Sequence, residues 1–166
     1  MEGDAMKNWI KFISIFIVSL AIVISVLVIW KSDEPFDEIE EQAEELALSS
    51  KALAKVSDSY VYNGNKPYVT VFGEDEDGNE KAIFVPINLD EKAIQEVFLE
   101  DGITKGQALS VVNSEEEIKK ILHTKLGYEE DIGAVWEITY KSNDDKLNYV
   151  YIIFKDGQWW KRILNL

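Results

Sequence analysis

The longest uninterrupted apolar run of the chain lies near its N-terminus, at residues 12–30, FISIFIVSLAIVISVLVIW. Serine is its only polar residue type, and the run lacks the polar face that a helix on a soluble core would show. As a helix it spans roughly 28 Å, close to the thickness of the hydrocarbon layer of a bilayer. We therefore predict a transmembrane anchor at 12–30, an N-terminal segment at 1–11 and a linker at 31–35.

The flanks of this run favour a retained anchor over a cleaved signal peptide, because bulky residues end it and no small-x-small cleavage site follows it. Lys7 and Lys11 precede the run, and acidic residues soon follow it. The positive-inside rule then places 1–11 in the cytoplasm and the remainder of the chain outside. MKNWIKF, from Met6, resembles a natural start more than Met1 does, and the sequence leaves both methionines as candidate starts.

Beyond the linker, the sequence pattern predicts a helix followed by strands, and then a second helix followed by strands. FDEIEEQAEELALSSKALAKV, at 36–56, has apolar residues at spacings of three and four, which predicts an amphipathic helix. Packing on its own sheet is the favoured role of this helix, and a coiled-coil seam that forms a homodimer is the alternative. Strand patterns follow in YVY, YVTVFG, KAIFVPI and AIQEVFL, with a turn at EDEDGNE. A second helix, capped by Thr104, is predicted to continue through SEEEIKKILHTKLGY to Gly127, before strands at GAVWEITY, LNYVYIIF and QWWKRIL.

This order predicts an α+β fold with two small domains, at 36–100 and 102–166, each a helix packed on an antiparallel sheet. The halves are related by an offset of 68, at which Tyr68 corresponds to Trp136. Domains of about 65 residues have marginal cores, so we expect the two to pack on one another.

Charge and motifs argue against the common chemistries. The chain has 31 acidic and 17 basic residues, a net charge of −14, which opposes nucleic-acid binding. It contains no cysteine, which excludes disulfides and thiol chemistry. EDEDGNE fails the EF-hand pattern, because Glu80 and Pro86 stand where glycine and glutamate are required. His123 is the single histidine, expected at a surface or a helix end, and no Gly-x-Ser-x-Gly elbow accompanies it. We expect no catalytic residues, no cofactor and no metal site.

The C-terminal strands carry more aromatic residues than one core can use. Neighbouring side chains on a strand point to opposite faces, so Trp159 and Trp160 cannot both join the same core. LNYVYIIF is apolar on both faces and needs a second cover, either the first domain or a partner protein. Because aromatic residues are favoured as interface anchors, we predict a partner-contact surface. Its residues are Trp159, Trp160, Phe154, Tyr149 and Tyr151. The alternative is that packing of the two domains covers this surface completely.

Several segments resemble one family in their order and spacing: YNG, YVTVFGEDEDGNEKAIFVP, DGITKGQALSVV, HTKLGY, VWEITY and NYVYIIFKDGQWWKRILNL, after the MKNWIKF start. On these segments the chain resembles, over essentially its whole length, the YpmB family of Gram-positive bacteria, the TseB-like cell wall elongation regulators. The resemblance implies tandem PepSY-like, cystatin-type domains, and a non-enzymatic membrane protein that binds a penicillin-binding protein and modulates wall synthesis. PepSY-type domains also occur as protease propeptides, so an extracellular inhibitor or ligand-binding module is the second function class.

Overall fold

The computed structural model describes the backbone of residues 2–32 and 34–166, and side chains at 9–26 and 37–166. The chain divides into two compact units, a first that ends at Glu38 and a second, Ile39–Leu166. Both β-sheets lie in the second unit, and the boundary predicted near residue 101 therefore falls inside it.

The first unit consists mostly of helix α1, Glu2–Ser32. Its segment Trp9–Val26 is long and apolar enough to cross a membrane, a property that membrane anchors and signal sequences share. Ser25 donates its hydroxyl to the Ala21 carbonyl at 2.8 Å, which satisfies a polar group within the apolar run. Asp33, in the predicted linker, lies outside the described residues.

The first sheet packs against helix α2, Glu34–Ser49. Its strands are β1 (Lys55–Asn63), β2 (Pro67–Glu74), β3 (Glu80–Pro86) and β4 (Gln95–Phe98), antiparallel and in that spatial order. The small side chains of Ala43 and Ala47 let α2 approach the sheet closely. The buried residues of this core are Ala43, Ala47, Leu53, Val61, Val69, Val71, Ile83 and Val85.

Helix α2 is shorter than the sequence predicted. It ends at Ser49 rather than near residue 56, and Lys51 adopts a left-handed conformation with φ of 62° as the chain turns toward β1. The buried alanines of α2 belong to the core of its own sheet, the favoured of the two predicted roles.

The second sheet packs against helix α3, Lys105–Glu115. Its strands are β5 (Ile118–Glu129), β6 (Gly133–Ser142), β7 (Leu147–Ile153) and β8 (Trp159–Ile163), again antiparallel and in sequence order. Thr104 caps α3 as predicted, and Gln107 completes a reciprocal capping box. The face toward α3 carries Trp136, Ile138 and Tyr140, which confirms the face assigned to them from the alternation in VWEITY.

The helix predicted through SEEEIKKILHTKLGY to Gly127 is wrong. Helix α3 ends at Glu115, and Ile118–Glu129 forms strand β5. Two β-bulges, between Ile118 and Lys120 and between Ile121 and His123, interrupt the alternation of β5. The interrupted pattern has apolar spacings that imitate a helix.

The offset that relates the two halves is 67 in the central hairpins rather than 68. Val69 pairs with Val85 in the first sheet, and Trp136 pairs with Ile152 at the matching place in the second. An offset of 68 would match Tyr68 to Trp136. Tyr68 lies on the face of its sheet away from α2, whereas Trp136 lies on the face toward α3. The two residues therefore do not correspond, because a shift of one residue exchanges the two faces of a strand.

The two sheets meet where β5 crosses the face of the first sheet opposite α2. The Leu126 amide donates to the Tyr60 hydroxyl at 2.7 Å, and the Thr70 hydroxyl donates to the Leu126 carbonyl at 2.8 Å. Burial raises the pKa of Tyr60 above its ordinary value. These hydroxyls satisfy backbone groups on the outer edge of β5.

The outer edge of β1 is satisfied in a similar way. The Val61 amide donates to Glu40 Oε1 at 3.0 Å, and Lys125 Nζ donates to the Val61 carbonyl at 2.8 Å. Side chains from α2 and β5 therefore hold β1, and the two sheets are joined by hydrogen bonds as well as by apolar packing.

Candidate interaction surface on the second sheet

The two consecutive tryptophans of β8 lie on opposite faces of the second sheet, as their positions in a strand predicted. Trp159 lies opposite Ile152, on the face covered by α3, and donates its indole N–H to Glu115 at 2.9 Å. The Arg162 guanidinium stacks 3.5 Å from the Trp159 ring centre and forms an ion pair with Glu115 at 2.6 Å. Trp159 is therefore held as part of the α3 packing.

A β-bulge in β8 places Lys161 on the same outer face as Trp160. Tyr151 pairs with Lys161 whereas Ile152 pairs with Trp159, so Trp160 is the extra residue between them. The bulge brings Trp160 and Lys161 onto the same face as Tyr151. The Trp160 and Tyr151 rings meet edge to face with centres 5.7 Å apart.

We call this group the aromatic surface, and its members are Tyr149, Tyr151, Trp160, Lys161 and Ile163. Tyr151 is buried, Lys161 is exposed, and the other three are half-buried. The Lys161 ammonium lies 5.6 Å from the Tyr151 ring centre and 5.8 Å from that of Trp160. Cation–π attraction at these distances is modest for an exposed lysine, and leaves its charge free to attract a partner.

One end of the outer face is closed by Tyr62, which β1 contributes from the first sheet. Tyr62 is buried in one cluster with Val135 and Tyr151. Its ring lies directly over Gly127, where a Cβ atom would come within 2.4 Å of it. The first sheet thus covers part of the outer face and leaves Trp160 and Tyr149 half-exposed.

A polar group lies beside the aromatic surface. His123 is in strand β5, with its Nε2 atom 2.7 Å from Thr139 Oγ1 and 3.2 Å from Glu137 Oε1. Burial and the neighbouring Glu137 carboxylate raise the pKa of Tyr151. Both partners of His123 contact the same ring nitrogen, whereas a serine-protease relay places its two partners on different nitrogens. Within the described ranges, no group of histidine and acidic side chains is arranged to hold a metal ion.

The structure brings together three of the five residues predicted to contact a partner, namely Tyr149, Tyr151 and Trp160. Trp159 lies on the opposite face. Phe154 also lies on the α3 side, buried against Gly102, where a Cβ atom would come within 2.4 Å of its ring.

Lys161, Ile163 and Tyr62 are members or neighbours of the surface that the sequence did not predict. Strict alternation places Lys161 on the face opposite Trp160, and the bulge that reverses this has no signature such as a glycine. The sequence predicts a strand at Tyr62, but the position of its ring over Gly127, 65 residues later in the chain, depends on tertiary packing.

Comparison with known proteins gives two matches. A family model described as "Cell wall elongation regulator TseB-like domain" matches residues 42–86, which run from α2 to the end of β3. A solved structure, the YpmB protein from Bacillus subtilis, is 27% identical, covers 75% of this chain and 95% of its own, and superposes with a TM-score of 0.66. No curated protein matches the chain.

Proposed function

We propose that the chain is a member of the YpmB/TseB-like family and a non-enzymatic regulator of cell wall elongation. The observation that carries the proposal is the agreement of two independent matches. The domain model matches the C-terminal half of α2 and strands β1, β2 and β3, whereas the YpmB structure covers three quarters of the chain.

The regulator is proposed to be a single-pass membrane protein with its N-terminus in the cytoplasm and its sheets outside. Helix α1 supports this proposal, because Trp9–Val26 has the length and apolarity of a membrane span. Lys7 and Lys11 on its N-terminal side favour that orientation. A Gram-positive cell membrane is the expected location, since the solved relative comes from Bacillus subtilis.

Each helix with its four-stranded antiparallel sheet is proposed to be a PepSY-like, cystatin-type domain, the first at 36–100 and the second at 102–166. The cluster around Ala43 and Ala47 lies wholly within the first of these domains and supports this division. The cluster around Ala108 and Val112 also includes Tyr68 and Phe84 of the first sheet, so the two proposed domains share buried packing. Shared element order supports a common architecture, because each sheet follows its helix and runs in sequence order.

A penicillin-binding protein is the proposed partner, and the aromatic surface is its proposed contact. Tyr149 and Trp160 offer half-exposed aromatic area, and Lys161 adds a positive charge on a strongly acidic protein. Tryptophan, tyrosine and a basic residue grouped on a rigid sheet are typical of the centres of protein interfaces. Tyr151 supports the Trp160 ring from the side, which lowers the entropy that Trp160 would lose on binding.

A crosslinked pull-down of the full chain from its own membranes tests this proposal. We expect a penicillin-binding protein to be enriched over a control that carries only residues 1–35. Trp160→Ala should reduce this recovery by about tenfold, the effect of a moderate interface hot spot. Leu48→Ala, which removes an exposed apolar side chain of α2, should leave recovery unchanged.

Two outcomes would contradict the proposal. Recovery equal to that of the 1–35 control would move the contact to the membrane helix and away from the aromatic surface. Absence of any wall synthase from the recovered proteins would remove the proposed partner.

A further inference from the structure

A concave site lies between the two sheets, away from the aromatic surface. Two adjoining cavities of about 570 Å³ and 300 Å³ share lining residues and form one cleft, in the size range of ligand sites. We call it the inter-sheet cleft. The shared residues are Phe72, Glu80, Leu99, Lys105 and Trp136.

The walls of the inter-sheet cleft are apolar and held in place. Phe72 and Leu99 are half-buried and present apolar surface to the cleft. The Trp136 indole donates its N–H to the Ile103 carbonyl at 2.8 Å, and the Phe72 ring packs against Tyr60 with centres 5.7 Å apart. These contacts fix both aromatic rings, so the cleft exists before any ligand arrives.

The rim of the cleft is acidic. It carries four carboxylates and one ammonium group: Asp58, Glu74, Glu80, Glu100 and Lys105. All five are exposed, and of these five described side chains only Glu74 forms an ion pair, with Lys55 at 3.5 Å. The rim therefore has carboxylates in excess, which a cationic ligand would neutralise.

A buried hydroxyl at the cleft lacks a partner. Thr124 lines the cleft, and its Oγ1 is the one buried side-chain polar atom without a hydrogen-bond partner in the part of the chain that the structure describes. A buried polar group without a partner is uncommon in proteins. This oxygen is itself closed to solvent, so Thr124 borders the cleft through its other atoms.

We propose that the inter-sheet cleft binds an extended peptide segment in which an apolar side chain lies between lysine or arginine side chains. Phe72, Leu99 and Trp136 contact the apolar side chain. The carboxylates of the rim bind the flanking cations, and the backbone of the segment lies near Thr124. Peptide binding here does not depend on a role in wall elongation, and it uses a surface distinct from that around Trp160.

The test uses the full chain in detergent micelles with its tryptophans replaced by 5-fluorotryptophan, so that ¹⁹F resonances report on each ring. The probe is the peptide N-acetyl-Lys-Phe-Lys-amide. We expect it to shift the Trp136 resonance in a saturable way and to leave that of Trp160 unchanged. N-acetyl-Lys-Gly-Lys-amide and N-acetyl-Glu-Phe-Glu-amide, which lack the apolar side chain and the positive charges respectively, should each bind at least tenfold more weakly.

Variants of the rim test the charge argument. Glu80→Gln with Glu100→Gln should weaken binding of the lysine peptide about fivefold, the effect of two exposed ion pairs. Lys105→Glu should strengthen it about threefold. Glu45→Gln with Glu91→Gln removes the same charge from exposed positions outside the cleft and should leave the affinity unchanged. The effect of the rim variants should shrink in about 0.5 M salt.

Three results with the peptides would overturn the proposal: no saturable shift of the Trp136 resonance at millimolar peptide, equal binding of the glutamate peptide, or a shift of the Trp160 resonance in place of that of Trp136. Equal losses in the rim and control variants would assign binding to net charge alone and would also overturn it.

Discussion

Substitution of Gly127 by alanine should loosen the junction between the two sheets. An added Cβ atom would lie 2.4 Å from ring carbons of Tyr62, far inside van der Waals contact. Tyr62 cannot move aside easily, because it is fully buried and its hydroxyl donates to Glu129 at 2.9 Å. The substitution must therefore displace the ring, the strand or both.

The magnitude follows from the two interactions that are disturbed. Overpacking in a well-packed core costs about 1–3 kcal/mol. A hydrogen bond to a charged group contributes about 1.5–3 kcal/mol, and displacement of the ring weakens it in part. Together these give a decrease of about 3 kcal/mol in the free energy of unfolding, or roughly 10 °C in Tm for a unit of this size.

Thermal and urea unfolding of the full chain in micelles, followed by near-UV circular dichroism, measures this change. Gly106→Ala is the matched control, since the nearest atom to its added Cβ is 3.9 Å away and the position is an exposed helical turn. The control should increase the free energy of unfolding by about 0.5–1 kcal/mol.

A double-mutant cycle separates the clash from any general intolerance at this position. Tyr62→Ala removes the ring that the added methyl group would meet, so Gly127→Ala should cost almost nothing in that background. Two results would refute the steric explanation: a change in stability of less than about 0.5 kcal/mol for Gly127→Ala, or an effect that adds to that of Tyr62→Ala.

Two further predictions concern hydrogen bonds and pH. Thr124→Val should raise the free energy of unfolding by about 1 kcal/mol, because it removes a buried hydroxyl that has no hydrogen-bond partner. Thr70→Val should lower it by a similar amount, because it removes the hydroxyl that donates to the Leu126 carbonyl. Urea unfolding that changes the stability of both variants in the same direction would contradict this. Hydrogen bonds from Arg162 and the Trp159 indole lower the pKa of Glu115 below its ordinary value of about 4.3. A lowered folded-state pKa stabilises the protein above the unfolded pKa, and this contribution is lost as the pH falls through the folded-state value. The Tm should therefore fall on acidification below about pH 4.3, and less steeply in Glu115→Gln than in the control Glu45→Gln; equal slopes would contradict the assignment.

The elements with clean alternation could be predicted from the sequence. In β6 the face toward α3 follows directly from the spacing of Trp136, Ile138 and Tyr140, because each lies two positions from the next. The opposite orientations of Trp159 and Trp160 follow from the same rule. Thr104 was identifiable as a cap because its hydroxyl and the Gln107 side chain satisfy local backbone groups only.

Strand β5 could not be predicted in this way because its bulges change which positions share a face. Ile118, Ile121, Thr124 and Leu126 pair with Ser142, Tyr140, Ile138 and Trp136, so all four lie on one face. Their spacings are three, three and two, and the first two match a helix better than a strand. A bulge is defined by how a strand pairs with its neighbour, and the sequence of β5 alone carries no information about its pairing with β6.

The sequence predicted that the two sheets pack on each other, but not which residues form the contact. Two small cores were expected to pack on each other, and they do so. The sequence pattern predicts a helix end at Gly127, whereas the residue leaves space for the Tyr62 ring. No local pattern could show this, because the requirement comes from a residue 65 positions away on another sheet.

The capped edges of β1 and β5 have a consequence for self-association. Exposed strand edges are the usual starting points for domain swapping and fibril growth, because their unpaired amides and carbonyls accept another strand. At Val61 the backbone amide and carbonyl are bound by a carboxylate and an ammonium group, and at Leu126 they are bound by two hydroxyls. None of these side-chain groups can continue the hydrogen-bond ladder of a sheet. An intruding strand would have to break these bonds and separate the two sheets before it could pair there. The junction that joins the halves therefore also protects the protein from aggregation through its two inner edges.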